Sequence, residues 1–159
     1  MSKAVLISIR PKWVEKIANG EKTIEVRKTR PKLQTPFKCY IYCTLPKYPH
    51  EDFILTDYPK PQFYGGGKVI GEFSCDQFWI GTPHNTNSLF CMAAFMDGFD
   101  TEKYAKGKTL YGWHISDLLV YDEPRDLGEF RKPEFPTRLR LEDDEIKRPP
   151  QSWCYVEEA

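Results

Sequence analysis

The stretch AVLISIRPKWVEKIANGEKTIEVRK, Ala4 to Lys28, reads as strand, helix and strand in quick succession. Val5, Leu6, Ile7 and Ile9 make an apolar run of the length of a buried strand. Pro11 suits the first turn of a helix, where its missing N–H costs nothing. Trp13, Val14 and Ile17 then fall on one stripe. Asn19-Gly20 stops the helix, with glycine supplying the left-handed turn. From Thr23 to Lys28 the chain alternates again. Ile24 and Val26 point to one side, and Thr23, Glu25 and Arg27 to the other. A tight exit from a helix into a charged strand brings Lys22, Glu25 and Arg27 close together, an arrangement better suited to gripping a polar ligand than to stability.

Working outward, Phe37 to Thr44 (FKCYIYCT) is β-branched, aromatic and sulfur-rich, as a strand should be. Residues 45–66 carry four prolines and end in Gly65-Gly66-Gly67; they read as a loop insertion packed down by Phe53, Tyr58 and Phe63. Lys68 to Asp76 predicts another strand, in which Gly71 marks a bulge or a close backbone approach. Residues 81–108 form a second insertion, helical over Leu89 to Met96 and again from Asp100-Thr101-Glu102. Tyr111 to Tyr121 predicts a strand. Residues 122–150 read as irregular surface, with Glu142 to Glu145 a solvated acidic run. Ser152 to Val156 closes the chain as a last strand. Short strands with a few short helices, and no βαβ alternation, predict an α+β fold with a mixed, barrel-like sheet. No internal repeat is visible, and residues 1–159 are expected to form one domain.

Composition narrows the function. A chain of 159 residues buries roughly 70% of its unfolded surface and needs no staple to fold. Acidic and basic residues balance at 23 each, and the pI is near 6.8, which argues against a wholesale duplex-binding surface. Lys and Arg are concentrated in the first third, where an anion would be drawn. Five cysteines, an odd number without a Cys-x-x-Cys pair, predict reduced and mostly buried thiols in a cytoplasmic protein. The first apolar run is too short for a signal peptide and no segment is long enough for a membrane span. His50, His84 and His114 lie far apart, so no metal site is expected. Gly65-Gly66-Gly67 lacks the ending of a phosphate loop, because Lys68 is followed by Val69. No cofactor and no obligate protein partner is expected.

The Gly20-Glu21-Lys22-Thr23-Ile24-Glu25-Val26-Arg27 run remains. On one strand face, Glu25 and Arg27 are about 7 Å apart at Cα, so one small polar ligand bridges them. The bland reading is an exposed face laced with ion pairs of little worth. The segments SIRPKWVEKIANGEKTIEVRK, KVIGEFSC and WHISDL resemble the ASCH domain family, a branch of the PUA-like superfamily, and Gly20, Lys22, Glu25 and Arg27 carry its most recognisable element. The resemblance implies a small PUA-like mixed β-barrel with a cleft beside the first helix, in a family thought to bind RNA or act on nucleosides. One bacterial branch shares the Gly-x-Lys-Thr core and hydrolyses acetylated cytidine with a lysine, a threonine and a glutamate. Its lysine falls on Lys22. Its threonine falls on Glu25, not Thr23, and its distant glutamate falls on no residue that can be placed.

The expected function is therefore binding of RNA or a modified nucleobase. Arg10, Lys12, Lys22, Arg27 and Lys28 would contact anionic groups, Glu25 would read a base edge, and Tyr42 would stack, with Trp153 a second stacking residue beside the Arg148-Pro149-Pro150-Gln151 turn. The alternative is a nucleoside amidohydrolase or ribonuclease in which Lys22 and Glu25 are catalytic and Arg27 stabilises an oxyanion. The other aromatic residues, Trp13, Tyr40, Trp79, Trp113 and Tyr121, are expected in the core.

Overall fold

A computed structural model describes residues 2–56, 62–82, 88–94, 96, 98–133 and 144–159. The opening stretch folds as its pattern predicts: β1 (Lys3–Ile9), α1 (Pro11–Ala18) and β2 (Ile24–Arg27). Gly20 takes a left-handed φ of 83° at the exit of α1, a conformation that costs a side chain dear but glycine nothing. Next come β3 (Phe37–Cys43), a two-residue pair β4 (Ile54–Leu55) and β5 (Phe63–Tyr64), and β6 (Lys68–Gly81). Two short helices follow, α2 (Ser88–Ala94) and α3 (Gly98–Ala105), then β7 (Leu110–Arg125) and β8 (Trp153–Glu157).

Six strands form one sheet in the order β2-β7-β6-β3-β1-β8. Only β1 and β3 run parallel; the other neighbours are antiparallel. The α+β class and the mixed sheet are as expected, but the barrel is not: no ladder joins the edges β2 and β8. Side chains bridge the gap instead. Arg27 at the end of β2 donates to the Ser8 carbonyl (2.6 Å) and to Ser152 Oγ (3.2 Å). Trp153 Nε1 donates to Thr29 Oγ1 (2.9 Å), and the Lys32 N–H to the Tyr155 hydroxyl (2.8 Å). The sheet curls until its edges meet across a seam of side chains.

Burial on both faces explains the continuous apolar run of β1. Val5, Ile7 and Ile9 pack inside the curl with Val14 and Ile17 of α1, Ile41, Phe73 and Trp113. Ala4 and Leu6 pack on the other face with Tyr40, Val69, Phe130 and Ile146. Ile24 and Val26 lie beneath α2 and α3, against Phe90, Ala94 and Leu110. Cys39, Cys43 and Cys75 are buried and all five thiols are free. No helix among the described residues is long and apolar enough to cross a membrane.

Gly71 behaves as expected. The β6–β7 register shifts there, and a Cβ would collide with the backbone carbonyl oxygen of Leu119 on β7. Gly71→Ala should force the two longest strands apart and lower stability by about 1–3 kcal/mol in urea unfolding. A variant as stable as the parent would contradict this packing.

Residues 122–150 depart from the irregular surface expected of them. β7 continues to Arg125, and a capped 3-10 turn follows at Leu127–Glu129. Phe130 and Ile146 are core residues, and Arg131 bridges Glu145. Asp144, expected in a solvated acidic run, is buried at 4% exposure, and its carbonyl accepts from Lys132 N. Glu142, Asp143, Tyr58 and His84 lie outside the described residues. Phe53 is buried and Phe63 half-buried, as expected of the 45–66 insertion.

Candidate functional site

Glu25 and Arg27 stand on the face of β2 that points into the curl, because Ile24 and Val26 occupy the other face against α2 and α3. Their partners across β7 are Trp113 and Tyr111. Arg27 Nη2 meets Glu25 Oε1 at 3.0 Å. Lys22 enters from the turn before β2. Its Nζ donates to the Ala94 carbonyl at the end of α2, lies 3.6 Å from Glu25 Oε2 and stands 5.2 Å from the centre of the Trp13 ring. One carboxylate is thus held between two cations, with Lys22 only 3% and Glu25 6% exposed. The ion-pair face that a bland reading would leave in solvent is instead enclosed.

Burial lowers the Lys22 pKa; Glu25 pushes it back up and Arg27 adds to the fall. The Tyr104 hydroxyl, in α3, is pushed up by burial, with opposing contributions from Arg27 and Glu25, so its ring belongs to the same electrostatic neighbourhood. Two buried polar atoms of the trio make no hydrogen bond: Glu25 Oε2, since 3.6 Å is too long, and Arg27 Nε. A buried polar atom without a partner costs about 1–3 kcal/mol.

The trio forms one wall of an open hollow of about 1130 Å3. Other walls come from Ser8 at the end of β1, the start of α1, residues 44–52, and Met96, Asp100 and Tyr104. Five Lys or Arg side chains line it: Arg10, Lys12, Lys22, Arg27 and Lys47. Five carboxylates, Glu15, Glu25, Glu51, Asp52 and Asp100, match them. The surplus of positive charge that the first third of the sequence suggests is therefore absent from the hollow.

Of the residues singled out by sequence, Arg10, Lys12, Lys22, Glu25 and Arg27 come together here. Lys28 does not: it follows the end of β2, stands 4.9 Å above the Tyr104 ring, and lines a second groove. Tyr42 is packed on the far face of β3 with Leu6, Val69 and Val156, because that face is covered too. Trp153 is half-buried, edge-on to Trp113 and Tyr155 and tied to Thr29, so it serves the seam rather than the hollow. Sequence reasoning named neither Asp52 nor Tyr104, which line the hollow, while Trp13, expected in the core, packs partly against it and also lines the hollow. Trp13 reads as a core position of α1, yet Lys12 and Lys22 both stand over its ring. Asp52 and Tyr104 sit in the two insertions, where the sequence carries no signal for which side chains turn inward.

The fold has parallels among solved structures of an ASCH protein from Zymomonas mobilis. A serine-to-alanine variant has a TM-score of 0.64 at 19% identity, covering 98% of this chain and 89% of that one. Another ASCH structure has a TM-score of 0.60 at 20% identity, covering 98% and 88%. A tyrosine-to-phenylalanine variant has a TM-score of 0.60 at 20% identity, covering 99% and 92%. No family model matches the sequence, and no curated protein does. Across nearly its whole length, this chain has the fold of the ASCH domain.

Proposed function

We propose that the hollow receives a single nucleobase, from a modified nucleoside or from an unpaired residue of RNA. The observation that carries this reading is the enclosed wall of the hollow, where the Glu25 carboxylate stands between the Lys22 and Arg27 donors. A ligand that donates an N–H to Glu25 and accepts from Lys22 or Arg27 is matched by this wall. The edges of nucleobases place a donor beside an acceptor in this way. The matched charges of the lining suit the uncharged base rather than a phosphate, and Trp13 and Tyr104 line the same hollow.

The test is thermal unfolding with cytidine, uridine, adenosine, guanosine, N-acetylated cytidine and short single-stranded RNAs. A ligand at about 100 times its Kd stabilises a fold by about 2.7 kcal/mol, or roughly 5–11 °C in Tm for a chain of this size. With a nucleoside, the shift should be nearly independent of salt. The absence of a shift with every probe would overturn the reading.

One observation favours a second reading, hydrolysis of an amide on such a base. The lowered pKa of Lys22, beside Glu25, is what a proton-transferring pair requires. Glu25 would take a proton from the attacking water and Lys22 would return one to the departing amine. Release of acetate from N-acetylated cytidine, lost in Lys22→Met, distinguishes this reading from binding alone.

A further inference from the structure

A second groove, of about 380 Å3, opens beside the hollow and shares Tyr104 and Asp100 with it. Its remaining lining is three lysines: Lys28 from just beyond β2, and Lys103 and Lys106 from α3 and its exit. Asp100 is its one carboxylate, so it carries a surplus of positive charge where the hollow carries none. Four lysines elsewhere on the protein stand in ion pairs: Lys16 with Glu21, Lys22 with Glu25, Lys38 with Glu72, and Lys68 with Asp126. Among the described residues, no carboxylate lies within ion-pair distance of Lys28, Lys103 or Lys106. Glu102, also on α3, is not part of the lining. The C-terminal end of α3 makes two of these lysines tolerable to the fold. It does not account for Lys28, which comes from just beyond β2 and stands over the Tyr104 ring.

We infer that this lysine groove holds the phosphates next to the nucleotide whose base occupies the hollow, so the partner is an unpaired stretch of nucleic acid. The inference rests on the base-binding reading, and Tyr104, the wall between the two cavities, is where base and backbone would part. A base can enter the hollow only when it is out of a stacked duplex, which makes a single strand the fitting form. Neutral hollow and cationic groove divide the work: the first recognises a base, and the second supplies affinity that depends on salt.

The experiment measures binding of cytidine, uridine, adenosine and guanosine, their 5′-monophosphates, and a short mixed-sequence single-stranded RNA, each over a range of salt. Each phosphate neutralised on a single strand contributes about −0.7 to the slope of log K against log salt. Three lysines therefore give the RNA a slope of about −2, or roughly a fifteen- to twentyfold loss of affinity between about 50 and 200 mM salt. A monophosphate should show about a third of that slope, and a nucleoside none. In Lys103→Gln/Lys106→Gln the RNA slope should flatten to about −0.7, with nucleoside binding unchanged. If nucleosides bind but the double variant keeps the full RNA slope, the groove is overturned and the hollow stands. If RNA binds with a lysine-dependent slope and no nucleoside or monophosphate binds, the groove stands and the base reading falls. If no probe binds, both fall.

Discussion

Glu25→Gln should unfold at markedly lower denaturant than the parent, losing about 3–5 kcal/mol, because it leaves two buried cations without their carboxylate. Glutamine preserves shape and still offers Arg27 an acceptor, but it no longer offsets the charge of Lys22 at 3.6 Å or of Arg27 at 3.0 Å. A loss of that size is a large share of the roughly 5–15 kcal/mol that holds a domain together. Adding Lys22→Met, which removes one of the stranded cations, should return part of the loss. Urea unfolding measures all three proteins, and a loss below about 1 kcal/mol for Glu25→Gln would mean that water reaches the trio freely.

The same substitution changes the pH dependence. Burial makes Lys22 give up its proton at a lower pH in the fold than in the unfolded chain. Between those two values the unfolded chain binds more protons, so the contribution of Lys22 to stability rises with pH. Without Glu25, the partner that opposes this fall, the rise should begin at lower pH. It should be sought below pH 9, because the buried thiols act oppositely above it. Cys43 and Cys75 are pushed up by burial from 9.0 to about 12, so the unfolded chain ionises its thiols first and stability falls as pH rises through that interval.

Arg27→Lys should cost about 2–4 kcal/mol despite keeping the charge, since each hydrogen bond from a charged group is worth about 1.5–3 kcal/mol. The guanidinium reaches the Ser8 carbonyl, Ser152 Oγ and Glu25 Oε1 at once from one planar fork. An ammonium on a flexible stem cannot reproduce that geometry. Amide hydrogen exchange should locate the damage at β2 and β8, the two edges the fork ties together. Exchange unchanged at both edges would show that the seam is held by Trp153 and Tyr155 without it.

Local chemistry explains what was legible in the sequence. Pro11 opens α1, Gly20 closes it in the one conformation other residues avoid, and the alternation of β2 sets Glu25 and Arg27 on one face. Gly71 stands where strands approach too closely for a side chain. Each is a decision taken within a few residues. Tyr42 could not be placed that way. Alternation separates core from solvent only when one face of a strand is wet, and β3 is buried on both. Asp144 and Phe130 were hidden for the related reason that charged, proline-rich flanks mask single inward-facing residues. The walls of the hollow at Asp52 and Tyr104 come from segments far apart in the chain, and only tertiary packing brings them to Glu25. The seam has the same origin: Thr29, Ser152 and Tyr155 carry no pattern that names one another.

Because Arg27 fastens the two margins of the sheet and also lines the hollow, recognition and closure are vested in one side chain. A change of ligand preference made at Glu25 or Arg27 would loosen the very clasp that shapes the cavity. New specificities are thus expected to arise on the opposite walls, around Asp52 and Tyr104, where substitution leaves the fastening intact.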